Sequence, residues 1–98
     1  MAGHMPQAEA RVVLSNKMGL HARPSTQIAT TASRFQSDIH IAKDDMVVDA
    51  KSVLELLMLA AECGSQLIIT ADGDDASQAT QALAKLVEGR FGELDVDG

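Results

Sequence analysis

Apolar residues fall into short blocks along the chain, and their spacing differs from block to block. Residues 10–15 hold the β-branched run Arg11-Val12-Val13-Leu14, which Asn16-Lys17-Met18-Gly19 breaks with loop-forming residues, so a strand and then a loop are predicted. Beyond Pro24 the apolar positions are Ile28, Ala32 and Phe35, four and then three apart. That spacing lays one stripe along a helix ending near Arg34 or Phe35. Asp38-Ile39-His40-Ile41-Ala42 alternates polar and apolar, Lys43-Asp44-Asp45 turns, and residues 46–50 resume with Val48 and Ala50 on one face, which predicts a hairpin. His40 lies opposite Ile39 and Ile41 and is expected to face solvent.

Ser52-Val53-Leu54-Glu55 matches a capping box, in which the serine hydroxyl accepts the N–H three residues on and the glutamate reaches back to the serine N–H. The helix it starts is apolar almost all round over residues 53–61, and Gly64 is placed to end it in a left-handed conformation. So short a helix does not bury every side chain: either Leu54 and Leu57 or Leu56 and Leu59 remain exposed. An exposed apolar group beside a binding site marks a docking surface. Gln66-Leu67-Ile68-Ile69-Thr70-Ala71 reads as a last strand with Leu67, Ile69 and Ala71 on one face, followed by an Asp72-Gly73-Asp74 turn. Asp72, Asp74 and Asp75 are read as turn and helix-start residues, because no glutamate stands where a calcium loop needs its last ligand. From Ala76, the positions Ala79, Leu83, Leu86 and Val87 give a final amphipathic helix that closes near Gly89. The order is strand, helix, strand, strand, helix, strand, helix. Short loops then favour an α+β open-faced sandwich, an antiparallel sheet with its helices gathered on one face.

Composition narrows the possibilities. A chain of 98 residues makes one small domain that buries about two-thirds of the surface its unfolded form exposes. Phe35 and Phe91 are its only aromatic residues, so the core is expected to be packed from Ala, Val, Leu, Ile and Met. A net charge of −6 argues against nucleic acid and against an anionic membrane surface as partners. No apolar run approaches a membrane span and no charged-then-apolar leader precedes the domain, so no membrane insertion and a cytoplasmic location are expected. Cys63 is the only cysteine; it forms no internal disulfide, and it is read as a small buried residue near a helix end. No metal site is expected, since Cys63 lacks ligands at metal spacing, and no cofactor is required. Met1-Ala2-Gly3-His4-Met5 resembles an expression-vector scar, so residues 1–7 are set aside as a remnant and disordered N-terminus. The domain is expected over residues 8–94, with a loose tail at 95–98.

The chemistry concentrates in Gly19-Leu20-His21-Ala22-Arg23-Pro24. With His21 as a helix N-cap, its ring lies among unpaired backbone N–H groups at the positive end of the helix dipole, an environment that suits a phosphate. Pro24 occupies the first turn, where a missing N–H costs no hydrogen bond, and the Ala22 and Arg23 donors stay free for a ligand. Arg23 adds a permanently charged fork that pairs with phosphoryl oxygens. No second acid–base group stands nearby in the sequence.

This histidine box, a Lys51-Ser52 pair opening the second helix, and the Met58-Leu59-Ala60-Ala61 and Asp72-Gly73 segments together resemble the HPr family. These are the histidine-containing phosphocarriers of the bacterial phosphoenolpyruvate-dependent sugar phosphotransferase system. The resemblance runs from about Ala8 to Glu93. It implies a four-stranded antiparallel sheet covered on one face by three helices, and a monomer. It also implies that enzyme I phosphorylates His21 on Nδ1 with assistance from Arg23, and that the group passes to a histidine of a sugar-specific enzyme IIA. The protein is then a substrate in a relay rather than a stand-alone enzyme. Ser52 matches the family's regulatory serine, the target of an ATP-dependent kinase, and Val53, Leu54 and Leu57 match the apolar patch on which partners dock. The alternative is a regulatory binding module, for carbon or nitrogen control, governed by phosphate on Ser52 and reading out to transcriptional regulators. Glu55 departs from the small or basic residue common in the family, although the capping box accounts for both Ser52 and Glu55 without a kinase.

Overall fold

The computed structural model describes residues 6–93; His4, most of the expected N-terminal remnant and the tail expected at 95–98 lie outside the described residues. The elements are β1 (Gln7–Val13), α1 (Ala22–Ala32), β2 (Asp38–Lys43), β3 (Met46–Asp49), α2 (Val53–Met58), β4 (Gln66–Asp72) and α3 (Ala76–Glu88), followed by a 3₁₀ turn at Arg90–Gly92. The four strands form one antiparallel sheet in the order β1-β4-β2-β3, and the helices pack against its apolar face as an open-faced sandwich. This is the architecture that the pattern predicts.

Period-two alternation sets the register. Val12 pairs with Leu67, Ala10 with Ile69, and Ala8 with Ala71, while Ile41 pairs with both Val48 and Ile69. Those inward positions meet Ile28 and Ala32 of α1, Leu56 of α2, and Ala79, Leu83 and Val87 of α3 in one cluster. His40 faces away from it, exposed. The first strand starts at Gln7, ahead of the expected residue 10, because Ala8 and Ala10 are too small to register as an apolar signal yet pack against the cluster. The core also differs from its expected composition. Met18, Met46 and Met58 are all exposed, whereas Phe91 is buried against the end of α3.

The second helix is shorter than its apolar run. It stops at Met58, and Ala60, with φ of 49°, takes the left-handed position expected of Gly64. The Lys43 ammonium donates to the Leu59 carbonyl at 3.3 Å, satisfying an acceptor that the early stop leaves open. Cys63 is consequently not a buried helix-end residue. It sits exposed in the turn that follows, where Ser65 N donates to the Glu62 carbonyl.

Asp75 does more than start a helix. As the N-cap of α3 it makes no capping bond with its side chain; its carboxylate instead accepts from the Gln36 N–H at 2.8 Å, the Ser37 N–H at 3.0 Å and the Ser37 hydroxyl. It thereby ties the start of α3 to the loop between α1 and β2. The Ser37 hydroxyl and then the Gln36 N–H hold the acid below its ordinary value of 3.8. Because the folded state favours the carboxylate, its stabilisation is fully present above the unfolded value and is lost as pH falls through the lower folded value. Asp75→Asn is therefore expected to lower the urea midpoint at neutral pH, with the gap to the native protein closing below about pH 4. A gap that holds constant across that range would contradict the assignment.

Candidate functional site

The site is assembled by a turn, a helix start and the chain's return from α3. Asn16 begins the turn: its carbonyl accepts the Gly19 N–H at 3.1 Å, and its Nδ2 donates to the Gly19 carbonyl at 2.8 Å. Gly19 sits in the left-handed region, φ +67°, where a Cβ would fall on the Ala61 carbonyl oxygen and within 2.9 Å of Glu62 Cα. Only glycine meets both conditions without strain. The close approach lets Leu20 N donate to Ala61 O at 2.9 Å, fastening the histidine box to the segment after α2.

His21 is the N-cap of α1, in extended conformation, and its carbonyl accepts the Ser25 N–H at 3.1 Å. Its ring makes no capping bond. Ala22 and Arg23 are the first two helical residues, so their N–H groups have no acceptor within the helix. Pro24, third in the helix, is buried in the position its missing N–H allows. The Arg23 side chain is exposed and is not brought onto the imidazole; among the described residues it has no hydrogen-bond or ion-pair partner. An unanchored guanidinium beside two open N–H donors can close on an incoming anion.

A carboxylate does reach the ring, from the far end of the chain. Glu93 Oε2 lies 2.9 Å from His21 Nε2, with the two side chains 12% and 36% exposed respectively. Beyond α3 the chain takes left-handed backbone at Arg90 and Phe91. The Arg90 guanidinium donates to the Ser15 carbonyl at 3.3 Å, and Gln27 Nε2 donates to the Phe91 carbonyl at 3.3 Å. Buried Phe91 anchors the segment. Asn16 Nδ2 then donates to Glu93 Oε1 at 3.1 Å. No acid–base group stands near His21 in the sequence, yet the fold brings one to the ring. Glu93 is distant in sequence and adjacent in space, and Asn16, read as a loop residue, is fully buried beneath the site.

At the second motif, Ser52 caps α2, its Oγ accepting the Glu55 N–H at 3.2 Å. The reciprocal half of the capping box does not form. Ser52 N donates to the Asp49 carbonyl at 3.1 Å, and Glu55 Oε1 accepts from Asp49 N at 3.0 Å, because the chain leaving β3 turns tightly enough to satisfy the serine N–H itself. Leu56 and Leu59 are buried, whereas Leu54 and Leu57 are exposed and Val53 is half-buried. Met58, 64% exposed, joins the same helix surface without having been anticipated. Among the described residues no group of three or more histidines, cysteines and acids could hold a metal ion, and no helix is long and apolar enough to cross a membrane.

Comparison with known proteins places this geometry in context. Residues 8–89 match the family described as the PTS HPr component phosphorylation site. The chain is 43% identical over 82 residues to the phosphocarrier protein HPr of Neisseria meningitidis, covering 84% of this chain and 92% of that protein. It is 39% identical over 89 residues to the phosphocarrier protein NPr of Shewanella violacea, covering 91% and 98%. The crystal structure of HPr-C-His from Thermoanaerobacter tengcongensis superposes with a TM-score of 0.85 at 40% identity, over 89% of this chain and 98% of that one.

Proposed function

Since the chain belongs to the HPr family of phosphotransferase-system phosphocarriers, we propose that His21 takes a phosphoryl group from phosphorylated enzyme I and passes it to an enzyme IIA. The observation that supports this most is the imidazole's setting. It stands partly exposed at a helix N-terminus with Nε2 engaged by Glu93, so Nδ1 is the nitrogen left to react. In the transfer, the Nδ1 lone pair attacks phosphorus in line, while the Ala22 and Arg23 N–H groups and the Arg23 guanidinium take up the phosphoryl charge. These donors face water, so the phosphohistidine is held loosely and stays reactive toward the next acceptor. The chemistry needs its partners; the chain itself is the shuttled substrate, working as a cytoplasmic monomer. Leu54, Leu57 and half-buried Val53 on α2, with Met58, supply the apolar surface on which those partners dock.

Incubation with phosphoenolpyruvate and enzyme I, and separately with ATP and a cell extract, tests the reading through the acid stability of the phosphate gained. Acid-labile label from the first mixture supports the carrier. Its absence would overturn it.

The regulatory reading draws on Ser52, whose hydroxyl caps the helix carrying Leu54 and Met58, and on the likeness to an NPr. A phosphate there adds a charge of about −1.5 to −2 at the helix start, beside the apolar surface. That charge repels partners that use the same face, and a serine kinase and transcriptional regulators become the relevant partners. Ser52→Ala is expected to lower unfolding stability by about 1 kcal/mol through loss of the cap, measurable by urea titration, and to abolish acid-stable label from ATP. Acid-stable label that persists in the variant would remove Ser52 from the scheme.

A further inference from the structure

We propose that Glu93 is a positioning residue for His21: held from beneath by Asn16, its carboxylate keeps the imidazole proton on Nε2 and balances the charge the ring gains when Nδ1 is phosphorylated. The proposal rests on the carrier reading and assigns a role to the residue that engages Nε2.

The orientation of Asn16 follows from its partners. Its Nδ2 faces two acceptors, the Gly19 carbonyl at 2.8 Å and Glu93 Oε1 at 3.1 Å; the flipped amide would aim an oxygen at both. Asn16 is fully buried, so this donor is fixed in place. One carboxylate oxygen is thus anchored inside the fold while the other, Oε2, meets His21 Nε2 at 2.9 Å. An ionised carboxylate only accepts hydrogen bonds, so Nε2 must carry the proton, and in a neutral imidazole the lone pair is then on Nδ1.

The consequence for transfer follows from electron counting. As the Nδ1 lone pair forms the new N–P bond, the bond from phosphorus to the donor breaks and its electron pair stays with the donor. No proton leaves His21. The ring becomes a phosphorylated imidazolium with its proton still on Nε2, and the positive charge it acquires lies beside the Glu93 carboxylate. In onward transfer the N–P electron pair returns to Nδ1, and the ring departs as the neutral Nε2–H form it began as. Glu93 therefore stabilises a charge that exists only while phosphorus is bound or being bound, through a charge-assisted hydrogen bond that a neutral side chain cannot replace.

Two substitutions test the carboxylate. Glu93→Gln removes the charge and one acceptor, because its single amide oxygen goes to the fixed Asn16 donor and its NH2 then faces Nε2; Glu93→Ala removes the carboxylate altogether. With the imidazole only partly open to solvent, the rate of labelling from phosphoenolpyruvate and enzyme I is expected to fall about tenfold in Glu93→Gln and at least as far in Glu93→Ala. Nitrogen NMR of the neutral His21 ring, which needs no phosphoryl donor, is expected to show the Nε2–H tautomer in the native protein. The Nδ1–H form should gain population in Glu93→Gln and in Glu93→Ala. Native labelling rates in Glu93→Gln, or an unchanged tautomer ratio in Glu93→Ala, would overturn the proposal. Failure of the carrier reading gives a different result, since the native protein itself then takes no label.

Discussion

His21→Ala is expected to take up no acid-labile phosphate from phosphoenolpyruvate and enzyme I, a loss of the whole signal rather than a fraction of it. A phosphoramidate on imidazole hydrolyses in acid, whereas a serine phosphate ester survives, so the readout identifies the kind of nitrogen or oxygen carrying the group as well as its amount. His40 provides the internal comparison. It is exposed on β2, on the sheet face turned away from the helices, and makes no part of a helix N-terminus; His40→Ala should label like the native protein. The His21 side chain is partly exposed, so His21→Ala is expected to stay folded, and a urea titration of the variant separates loss of the acceptor from loss of the fold. Label persisting in His21→Ala would remove the central residue of the scheme, and label lost equally in His40→Ala would show that exposure alone is being read.

The extent to which this site was legible along the sequence depended on distance along the chain. His21, Ala22, Arg23 and Pro24 are consecutive, and the backbone physics of one helix turn suffices to read them. Ser52 and Glu55 are three apart, and there the local rule holds by half: the serine cap forms, but the Ser52 N–H is taken by the Asp49 carbonyl and Glu55 accepts from the Asp49 N–H. Glu93 lies 72 residues from His21. No periodicity links the two; they meet only because the left-handed turn at Arg90 and Phe91, pinned through Arg90 to Ser15 and through Gln27 to Phe91, directs the chain back over the helix start. Asn16 was hidden for a related reason. In a loop sequence an asparagine reads as a turn former, and nothing local reveals that its amide is fully buried between two acceptors.

Among the larger elements, the strand alternation carried over almost intact because burial of one sheet face leaves it no freedom, since a one-residue slip would expose every inward side chain. The apolar run of α2 misled in the opposite sense. Its residues are apolar for two purposes, Leu56 and Leu59 to fill the core and Leu54, Leu57 and Met58 to remain outside. A run serving both faces carries no mark of where the helix stops. Ala60, four residues ahead of Gly64, takes the left-handed position that ends the helix, and Cys63 emerges into solvent as a result.

Gly19→Ala carries the largest expected effect on stability and ties the fold to the site. An alanine at φ +67° costs about 1–2 kcal/mol relative to glycine. Its Cβ also falls on the Ala61 carbonyl oxygen and within 2.9 Å of Glu62 Cα. Both are backbone atoms, so no side chain can rotate away, and the Leu20 N–H to Ala61 carbonyl bond must lengthen or break. Loss of that bond adds about 1 kcal/mol, which places the total near 3 kcal/mol, a large share of the stability of a small domain. Gly64→Ala isolates the steric part. Gly64 also has positive φ, at +97°, but nothing lies within 4 Å of its Cβ position, so only the conformational cost of about 1–2 kcal/mol applies. Urea titration of the two variants is expected to show Gly19→Ala clearly the less stable; equal losses would mean that the close approach to Ala61 contributes nothing. The same turn sets the carbonyl that fixes Asn16, and through Asn16 the carboxylate facing His21. The folded fraction of Gly19→Ala should therefore also accept phosphate more slowly, while the folded fraction of Gly64→Ala should accept it at the native rate.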